Sequence, residues 1–452
     1  MLHKFSYNGV NILIDVDSGA IHIADDIVYD IAESVFNLPA GEIYKKFPKY
    51  SEGEIDEAIS EVKSLAENNM IFTEESYDMV REKLDNKKPV VKALCLHVAH
   101  DCNLKCRYCF AEEGEYHGKR ALMSFEVGKA ALDFLVKNSG NRVNLEVDFF
   151  GGEPLMNFDV VKKLVLYGRS IEKENKKNFR FTITTNGILL NSEIEEFINE
   201  NMQNIVLSAD GRKSVNDKMR PTASGAGSYD IIMPKFKRIA DRRTSEGKDY
   251  YIRSTFTRYN KDFSNDVLHF ADIGFKEISA EPVVAEEEAD YAIRNEDLPE
   301  IFRQYEILAD ELILRRKKGY GFNFFHFNIN LSGGPCVYKR VTGCGSGSEY
   351  MAVSPDGSLY PCHQFVGEEE YKLGDVINGI KNYKIVEEFK SCNVYTKKGC
   401  SDCWAKFYCS GGCMANAYHA DGSIFGEYAM GCKMQKKRIE MAIYIKAKEL
   451  LG

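Results

Sequence analysis

The sequence lacks a long apolar run, an export signal and an excess of positive charge. No stretch reaches the roughly 18 uncharged apolar residues of a membrane span, so we expect no membrane partner. The net charge of −9 argues against a surface that binds nucleic acid. The amino-terminal stretch interrupts its apolar residues with Asp and Asn, unlike a signal peptide. We therefore expect a globular, cytoplasmic protein.

Cysteine, by contrast, is plentiful and clustered. Three of the thirteen cysteines lie at 102–109 and nine lie between 336 and 432. Because cytosolic thiols stay reduced, this pattern favours metal binding over a disulfide framework. The length of 452 residues exceeds what one hydrophobic core usually organises, so we expect two or three domains.

The first 80 residues have the pattern of a small winged-helix-like domain. Apolar and polar residues alternate up to about residue 24, with turns at Asn8-Gly9 and Asp17-Ser18-Gly19, which predicts a three-stranded antiparallel sheet. Helical spacing follows over 25–36, 41–47 and 52–69, and Ser51 with Glu54 forms a capping box. The charged segment 81–89, which ends at Pro89, is a predicted linker.

Residues 90–330 alternate strands with longer helices. The predicted strands lie near 91–98, 145–150, 180–184, 204–208, 250–257 and 276–281. Six such units predict an α/β fold with a parallel sheet, a partial (β/α)6 relative of the TIM barrel. In such sheets the chemistry gathers at the carboxyl ends of the strands. Beyond 330 the chain is rich in Gly, Pro and Cys, so residues 331–452 are predicted to form a domain held together by metal.

The first cysteine cluster, Cys102, Cys106 and Cys109, follows the first predicted strand with the spacing C-x3-C-x2-C. Three thiolates can hold three irons of a 4Fe-4S cluster, whereas ferredoxin-type sites supply four. The open iron can take the amino and carboxylate groups of S-adenosylmethionine (SAM) and deliver the electron that cleaves it. A structural zinc site is the alternative.

These residues, with Tyr108 before the last cysteine, resemble the radical SAM superfamily. Further matches follow at successive strand ends: Gly151, Gly152, Glu153, Pro154, Thr184, Asn186, Gly187, Ser208, Asp210, Gly211 and Arg220. The resemblance implies that these positions bind SAM, with Glu153 accepting from its ammonium group, Ser208 and Asp210 near its ribose and Arg220 at its carboxylate. Ordinary turns and caps at strand ends are the alternative.

The carboxyl-terminal cysteines resemble the SPASM extension of peptide-modifying radical SAM enzymes, which binds two auxiliary 4Fe-4S clusters. The resemblance implies an outer cluster on Cys400, Cys403, Cys409 and Cys432, and an inner cluster on Cys344, Cys362, Cys413 and, as candidate fourth ligand, Cys336. Three 4Fe-4S clusters would then be present, with zinc knuckles as the alternative for the distal thiols. Cys95 and Cys392 are left over as buried spectators, and the histidines have no metal-ligand spacing.

The resemblance also implies a peptide substrate. The amino-terminal unit is similar to the recognition element of ribosomal-peptide maturases, which adds a leader peptide as an extra strand, here around residues 20–24 and the third helix. A purely structural cap is the alternative. A low-potential electron donor such as ferredoxin or flavodoxin is implied as a second partner.

The expected reaction is thioether formation between a cysteine sulfur of the precursor and the α-carbon of an acceptor residue, as in the maturases of six-cysteine (SCIFF) peptides. An anaerobic sulfatase maturase is the main alternative, although such enzymes place an aspartate base where this chain has His363. Carbon-carbon crosslinking is a further option. A non-enzymatic iron-sulfur protein that binds peptides is the alternative from another class.

Overall fold

The computed structural model describes residues 1–74, 80, 82, 84, 90–116, 118, 120–331 and 337–452. The predicted linker 81–89 lies outside the described residues except for Glu82 and Leu84, and so does Cys336. Within the described part of the chain, no helix has the length and apolar character required to cross a membrane.

The amino-terminal unit is a three-stranded antiparallel sheet followed by helices. Its elements are β1 (Leu2–Tyr7), β2 (Val10–Asp15), β3 (Ile21–Ala24), α1 (Asp26–Ile31), α2 (Ala40–Lys46) and α3 (Glu52–Glu67). The predicted turns are present, with Gly9 and Gly19 at φ of 73° and 74°, where a side chain would be strained. The Ser51–Glu54 capping box begins α3.

The central part is a parallel sheet flanked by helices. Its strands are β4 (Ala93–His100), β5 (Ala121–Leu122), β6 (Asn144–Gly151), β7 (Asn178–Thr185), β8 (Asn204–Ser208), β9 (Tyr251–Phe256), β10 (Glu277–Pro282) and β11 (Asn323–Phe324). Its helices are α4 (Phe125–Asn138), α5 (Phe158–Asn175), α6 (Ser192–Asn201), α7 (Lys213–Met219), α8 (Tyr229–Ser245), α9 (Ser264–Asp272) and α10 (Leu298–Lys317). Neighbours from β4 through β6 to β11 are all parallel, as expected of a partial barrel.

The strands bury alternate side chains because one face packs on helices and the other lines the barrel. On β7, Phe179, Phe181 and Ile183 are buried, whereas the residues between them are half-buried. Gly168 on α5 permits this packing, since a Cβ at that position would lie 2.6 Å from Cζ of Phe181. The helices are thereby held close against the sheet.

The carboxyl-terminal part joins the barrel through a shared sheet. Its elements are α11 (Val337–Thr342), β12 (Tyr350–Val353), β13 (Ser358–Tyr360), β14 (Gly374–Asp375), β15 (Gly379–Ile380), α12 (Tyr383–Ser391), α13 (Lys406–Cys409), α14 (Met414–Asp421) and α15 (Ala429–Leu451). β12 pairs in parallel with β4, on the side opposite β6, and α15 packs on α10 and on β2. All three parts of the chain therefore contribute to one continuous core.

Candidate iron-sulfur and cofactor site

The first cysteine loop leaves the carboxyl end of β4 and lies against the glycine pair that ends β6. A Cβ on Gly151 would lie 2.2 Å from the carbonyl oxygen of Ala99. A Cβ on Gly152 would lie 2.2 Å from the carbonyl oxygen of Asp101 and 3.1 Å from Cβ of Cys102. The pair is glycine because its backbone contacts the backbone beside the first cysteine.

Cys102, Cys106 and Cys109 are free thiols, and their charges influence one another. Burial raises the pKa of Cys102 to about 12, and the Glu153 carboxylate and the other two thiols add to the rise. Burial also raises the pKa of Cys106 to about 11, against the opposing charge of Arg220. Metal ligation would deprotonate these thiols outright.

Within the described residues, no three Cys, His, Asp or Glu side chains converge as ligands of a single metal ion. A 4Fe-4S cluster, in contrast, takes each thiolate on a separate iron, so its ligands need to surround a volume and not a point. Three neighbouring thiols fit that requirement in their chemistry and number.

Glu153 is fully buried and ties the ends of β6 and β7 together. Its Oε1 accepts hydrogen bonds from the amide of Leu155 at 3.0 Å and from Oγ1 of Thr185 at 2.7 Å. Its Oε2 accepts from the amide of Asn186 at 2.7 Å. Burial raises the pKa of this carboxyl to about 7. Groups of the protein thus occupy most of the acceptor positions of the Glu153 carboxylate, which the sequence analysis assigned to the SAM ammonium. The hydrogen bond from Thr185 was not predicted.

Asn186 and Asn103 supply polar groups beside Cys102. Nδ2 of Asn186 donates to Oδ1 of Asn103 at 2.8 Å and lies 3.6 Å from Sγ of Cys102. Nδ2 of Asn103 is buried and has no hydrogen-bond acceptor among the described residues. A buried donor without a partner is costly, so a ligand that brings an acceptor to this position fits the site.

Tyr108, Asp210 and Arg220 form a buried hydrogen-bonded group. The Tyr108 hydroxyl donates to Oδ2 of Asp210 at 2.7 Å and accepts from Nη1 of Arg220 at 2.8 Å. Asp210 also accepts from the amide of Thr255 at 3.1 Å. Nε of Arg220 is buried without a hydrogen-bond partner in the described structure. Arg220 therefore keeps a free donor for an anionic ligand such as the SAM carboxylate.

The other predicted SAM residues lie at the same edge of the sheet. Thr184 and Ser208 are half-buried near the carboxyl ends of β7 and β8. Pro154 begins the short helical turn Pro154–Asn157 after the glycine pair. The predicted SAM residues of β6, β7 and β8 thus lie at the carboxyl ends of neighbouring strands, and Arg220, which follows the helix Lys213–Met219, joins them through Tyr108 and Asp210.

Three histidines lie next to this edge, and only His363 was singled out from the sequence. Nδ1 of His97 lies 3.2 Å from Nε2 of His100, and the Tyr116 ring stacks on His100. On the other side, Nδ1 of His363 lies 3.3 Å from the Tyr350 hydroxyl. Burial lowers the pKa values of His100 and His363 to about 4, so both rings are neutral. Their spacing in the sequence carries no signal, because His97 and His100 lie three positions apart on β4, where the register shifts between His97 and Ala99, and His363 lies in a separate turn.

The charges of the distal thiols influence one another within both predicted sets, whose assignment to two clusters stays a prediction. Burial is the main cause of the raised pKa of Cys362, and the charges of Cys413 and Cys344 add to it. Burial raises the pKa values of Cys409 and Cys432 to about 12 and 11, and the thiols of Cys400 and Cys403 influence both. The role of Cys336 stays a prediction, since it lies outside the described residues.

The two leftover cysteines are buried, as expected. Cys392 donates to the carbonyl oxygen of Ile424 at 3.2 Å, and its side chain packs in the core. Cys95 lies in the interior of the barrel, 2% exposed, in a cluster with Tyr116 and Tyr360.

Two family models match the chain. One, described as a 4Fe-4S single cluster domain, matches residues 91–233, and the SPASM model, described as an iron-sulfur cluster-binding domain, matches residues 344–404. The first includes Cys102, Cys106 and Cys109, whereas the second ends before Cys409.

Similar proteins include a sulfatase-maturating enzyme and a radical SAM cyclopropyl synthase. The cysteine-type anaerobic sulfatase-maturating enzyme of Clostridium novyi is 25% identical over 335 residues, which cover 70% of this chain and 86% of that enzyme. The radical SAM cyclopropyl synthase TigE of Paramaledivibacter caminithermalis is 23% identical over 425 residues, which cover 89% of this chain and 85% of that enzyme. The structure of SuiB from Streptococcus suis, solved with its precursor peptide SuiA, matches with a TM-score of 0.53 and 18% sequence identity. The match covers 93% of this chain and 97% of SuiB.

The chain therefore has the α/β fold of radical SAM enzymes that carry a SPASM domain. The sequence relatives support a place among the radical SAM/SPASM maturases. They do not separate the SCIFF-type thioether enzymes from the sulfatase maturases.

Proposed function

We propose that this protein installs thioether crosslinks in a ribosomally made, cysteine-containing precursor peptide. The observation that carries the proposal is the combination, in one core, of the Cys102–Cys109 loop, the two distal thiol groups and a small antiparallel sheet with an open edge. A sulfatase maturase needs no such sheet, and it would have an aspartate where His363 lies against Tyr350.

The SAM site is proposed to work through donors that have no protein partner. When bound, a 4Fe-4S cluster on Cys102, Cys106 and Cys109 would supply the electron that breaks the S–C5′ bond of SAM, which gives methionine and a 5′-deoxyadenosyl radical able to remove a substrate hydrogen. Nδ2 of Asn103 and Nε of Arg220 would donate to the SAM carboxylate. The Tyr108 hydroxyl, which accepts from Arg220 and donates to Asp210, and the ion pair of Arg220 with Asp210 hold the guanidinium in place.

The open edge of β3 is the proposed site for the leader peptide. Within the described residues β3 pairs only with β2, so its outer main-chain groups are available for strand addition. Ile23 on this strand is 40% exposed, a large apolar side chain that a bound peptide would cover. SuiB, which binds its precursor peptide, matches this chain over its amino-terminal part as well, given the 93% coverage.

The distal thiols are proposed to hold two auxiliary 4Fe-4S clusters, with a ferredoxin or flavodoxin as the electron donor. Cys400, Cys403, Cys409 and Cys432 would hold the outer one. Cys344, Cys362 and Cys413 would hold the inner one, completed by Cys336 or by a substrate cysteine. A substrate thiol bound there would be deprotonated by the metal and placed near the barrel.

Two other reactions fit the relatives and define the test. The similarity to the Clostridium novyi enzyme favours sulfatase maturation, and the similarity to TigE favours carbon-carbon bond formation. Incubation of the precursor peptide with reduced enzyme and SAM should yield a product that is lighter by two hydrogens per crosslink. For each crosslink, one cysteine thiol should no longer react with iodoacetamide. Loss of two hydrogens with the thiol still reactive would indicate carbon-carbon bonding, and loss of sulfur would indicate formylglycine. Absence of 5′-deoxyadenosine would instead indicate a binding protein.

A further inference from the structure

Asn216 is a fully buried asparagine in the middle of α7, the short helix that precedes Arg220. Asparagine is a poor helix former, because its side-chain amide competes with the main chain for hydrogen bonds. Here the amide bonds mainly to groups outside its own helix. Its Oδ1 accepts from the main-chain amide of Asp210 at 3.2 Å, and its Nδ2 donates to Oγ of Ser228 at 2.9 Å. The side chain therefore joins the loop after β8 to the start of α8.

Ser228 continues this connection to Arg220. Its hydroxyl donates to the main-chain carbonyl oxygen of Arg220 at 2.7 Å, and the residue is fully buried. Although Ser228 stands at the N-cap position of α8, its side chain makes no capping hydrogen bond, so capping does not account for the hydroxyl. The amide of Arg220 in turn donates to the carbonyl oxygen of Asn216 at 2.8 Å. Both main-chain polar groups of Arg220 are thus held by this pair of residues.

These hydrogen bonds close a ring, which we call the hydrogen-bonded ring. It runs from the Tyr108 hydroxyl through Asp210, Asn216, Ser228 and Arg220, and the Arg220 guanidinium returns it to Tyr108. Four of its residues are buried and Tyr108 is half-buried, so little water competes for the bonds. Removal of one member leaves a buried donor or acceptor without its partner.

The main chain on either side of Arg220 is also tied to the first cysteine loop. The amide of Lys105 donates to the carbonyl oxygen of Pro221 at 2.9 Å. The amide of Arg107 donates to the carbonyl oxygen of Met219 at 2.9 Å. Arg220 lies between these two acceptors. Its main chain is therefore fixed on one side by the cysteine loop and on the other by the hydrogen-bonded ring.

We propose that Asn216 and Ser228 are positioning residues for SAM, which hold the Arg220 guanidinium where the SAM carboxylate binds. The inference rests on the proposed SAM site. Nε of Arg220 is buried and has no hydrogen-bond partner among the described residues, so the guanidinium can donate to a ligand. A charge-assisted hydrogen bond needs a donor aligned with its acceptor, and a shift of the main chain at Arg220 would misalign it. Asn216 and Ser228 act through Arg220 and need not touch SAM.

The test measures the affinity of the reconstituted full-length protein for SAM and for decarboxylated SAM, which differ only in the carboxylate. Isothermal titration calorimetry without reductant gives both dissociation constants while SAM stays intact. Asn216→Leu should weaken SAM binding at least tenfold and decarboxylated SAM binding less than threefold, because only SAM has the group that Arg220 meets. Ser228→Ala should change the ratio of the two affinities in the same direction. A residue that merely stabilises the fold would weaken both ligands alike.

Asn199→Leu is the matched control. Asn199 is a buried asparagine near the end of α6, where it donates to Glu246 close to the start of β8, at the end of the sheet opposite the SAM site. Its replacement should leave the ratio of affinities unchanged.

Arg220→Gln tests the SAM site itself and should reduce the preference for SAM over decarboxylated SAM at least tenfold. An unchanged preference in Arg220→Gln would refute the proposed carboxylate contact. If Arg220→Gln loses the preference while Asn216→Leu and Ser228→Ala keep it, or weaken both ligands equally, the positioning role is overturned and the site stands. Should Asn216→Leu fail to fold, the ratio measured for Ser228→Ala decides.

Discussion

Glu153 connects two strand ends through three hydrogen bonds while it is excluded from water. Because burial raises its pKa from 4.5 to about 7, the folded chain binds a proton more tightly than the unfolded chain does. Relative to a Glu153→Gln variant, the cluster-free protein should therefore lose about 3 kcal/mol of stability as the pH rises from about 4.5 to 7. Urea unfolding of both proteins at pH 5 and pH 8 measures this difference. The buried neutral histidines act in the opposite direction but are common to both proteins, so an identical pH dependence of the two would contradict the assignment.

Cys106 is one of three ligands of the proposed SAM-cleaving cluster. Its replacement by Ala should abolish 5′-deoxyadenosine formation, since three thiolates are needed to hold the cluster with one iron open. The distal thiols lie in separate groups, so the iron content should fall only in part. Iron analysis and product chromatography check both points. Complete loss of iron in Cys106→Ala would refute three independent sites, and Cys392→Ala is the control at a buried cysteine that is not among the predicted ligands.

At this scale the sequence predicts which residues approach each other but not what each one does. The cysteine spacings predict three sets of ligands, and in the structure thiols of each set influence one another's pKa. The partners of Glu153, by contrast, depend on the register of β6 against β7, which places Thr185 and the Asn186 amide beside it. Asn103 and His97 carry no motif, because a buried polar atom without a hydrogen-bond partner is visible only in three dimensions.

Among the elements, the edge strand β3 carries a specific expectation about substrate. Ile23→Lys places a charge on the strand where the leader is proposed to bind, and burying that charge in the complex is costly. The affinity for the leader peptide should fall at least tenfold, about 1.4 kcal/mol, with SAM cleavage unaffected. Fluorescence anisotropy of a labelled leader measures the affinity. Ile377→Lys, at an isoleucine that is 75% exposed, is the matched control and should bind the leader normally. Equal affinity of both variants would argue that the sheet is only a structural cap.

The elements were predictable where a local pattern produces them. Each predicted barrel strand begins and ends within a few residues of its counterpart, since alternation and turn residues lie within the strand itself. The pairing of β12 with β4 was not predicted, because Tyr350 and Ala93 meet in register although 257 positions separate them. Nothing local records such a contact. As a result, the predicted boundary at residue 331 divides a sheet that is continuous in the structure.

In the whole molecule, the amino-terminal sheet is anchored to the loop that carries the outer thiols. The His3 ring stacks on Trp404 with centroids 3.8 Å apart and planes at 4°, and Trp404 directly follows Cys403. Nε2 of His3 also lies 3.1 Å from Oε1 of Glu440 on α15. Phe5, Ile12 and Ile14 belong to the same core as the barrel, so the sheet is not a detachable module. A truncation at Val90 would expose this core, and point variants are the cleaner probe.

His3→Ala removes the stacking partner of Trp404 and the contact with Glu440 while leaving the three-stranded sheet intact. The loop of Cys400 and Cys403 should then open more often, because local opening follows the loss of packing around a segment. We expect faster release of part of the iron to a chelator, with the slower part unchanged, since only the outer thiols lie on this loop. Trp404 is the sole tryptophan, so its fluorescence in the cluster-free protein reports the same loosening directly.

Phe36→Ala, at an exposed aromatic of the same amino-terminal unit, is the control and should change neither signal. Equal iron release from His3→Ala and Phe36→Ala would show that the sheet does not support the outer site, whereas a specific increase would mean that a bound leader and the outer cluster share one structural support.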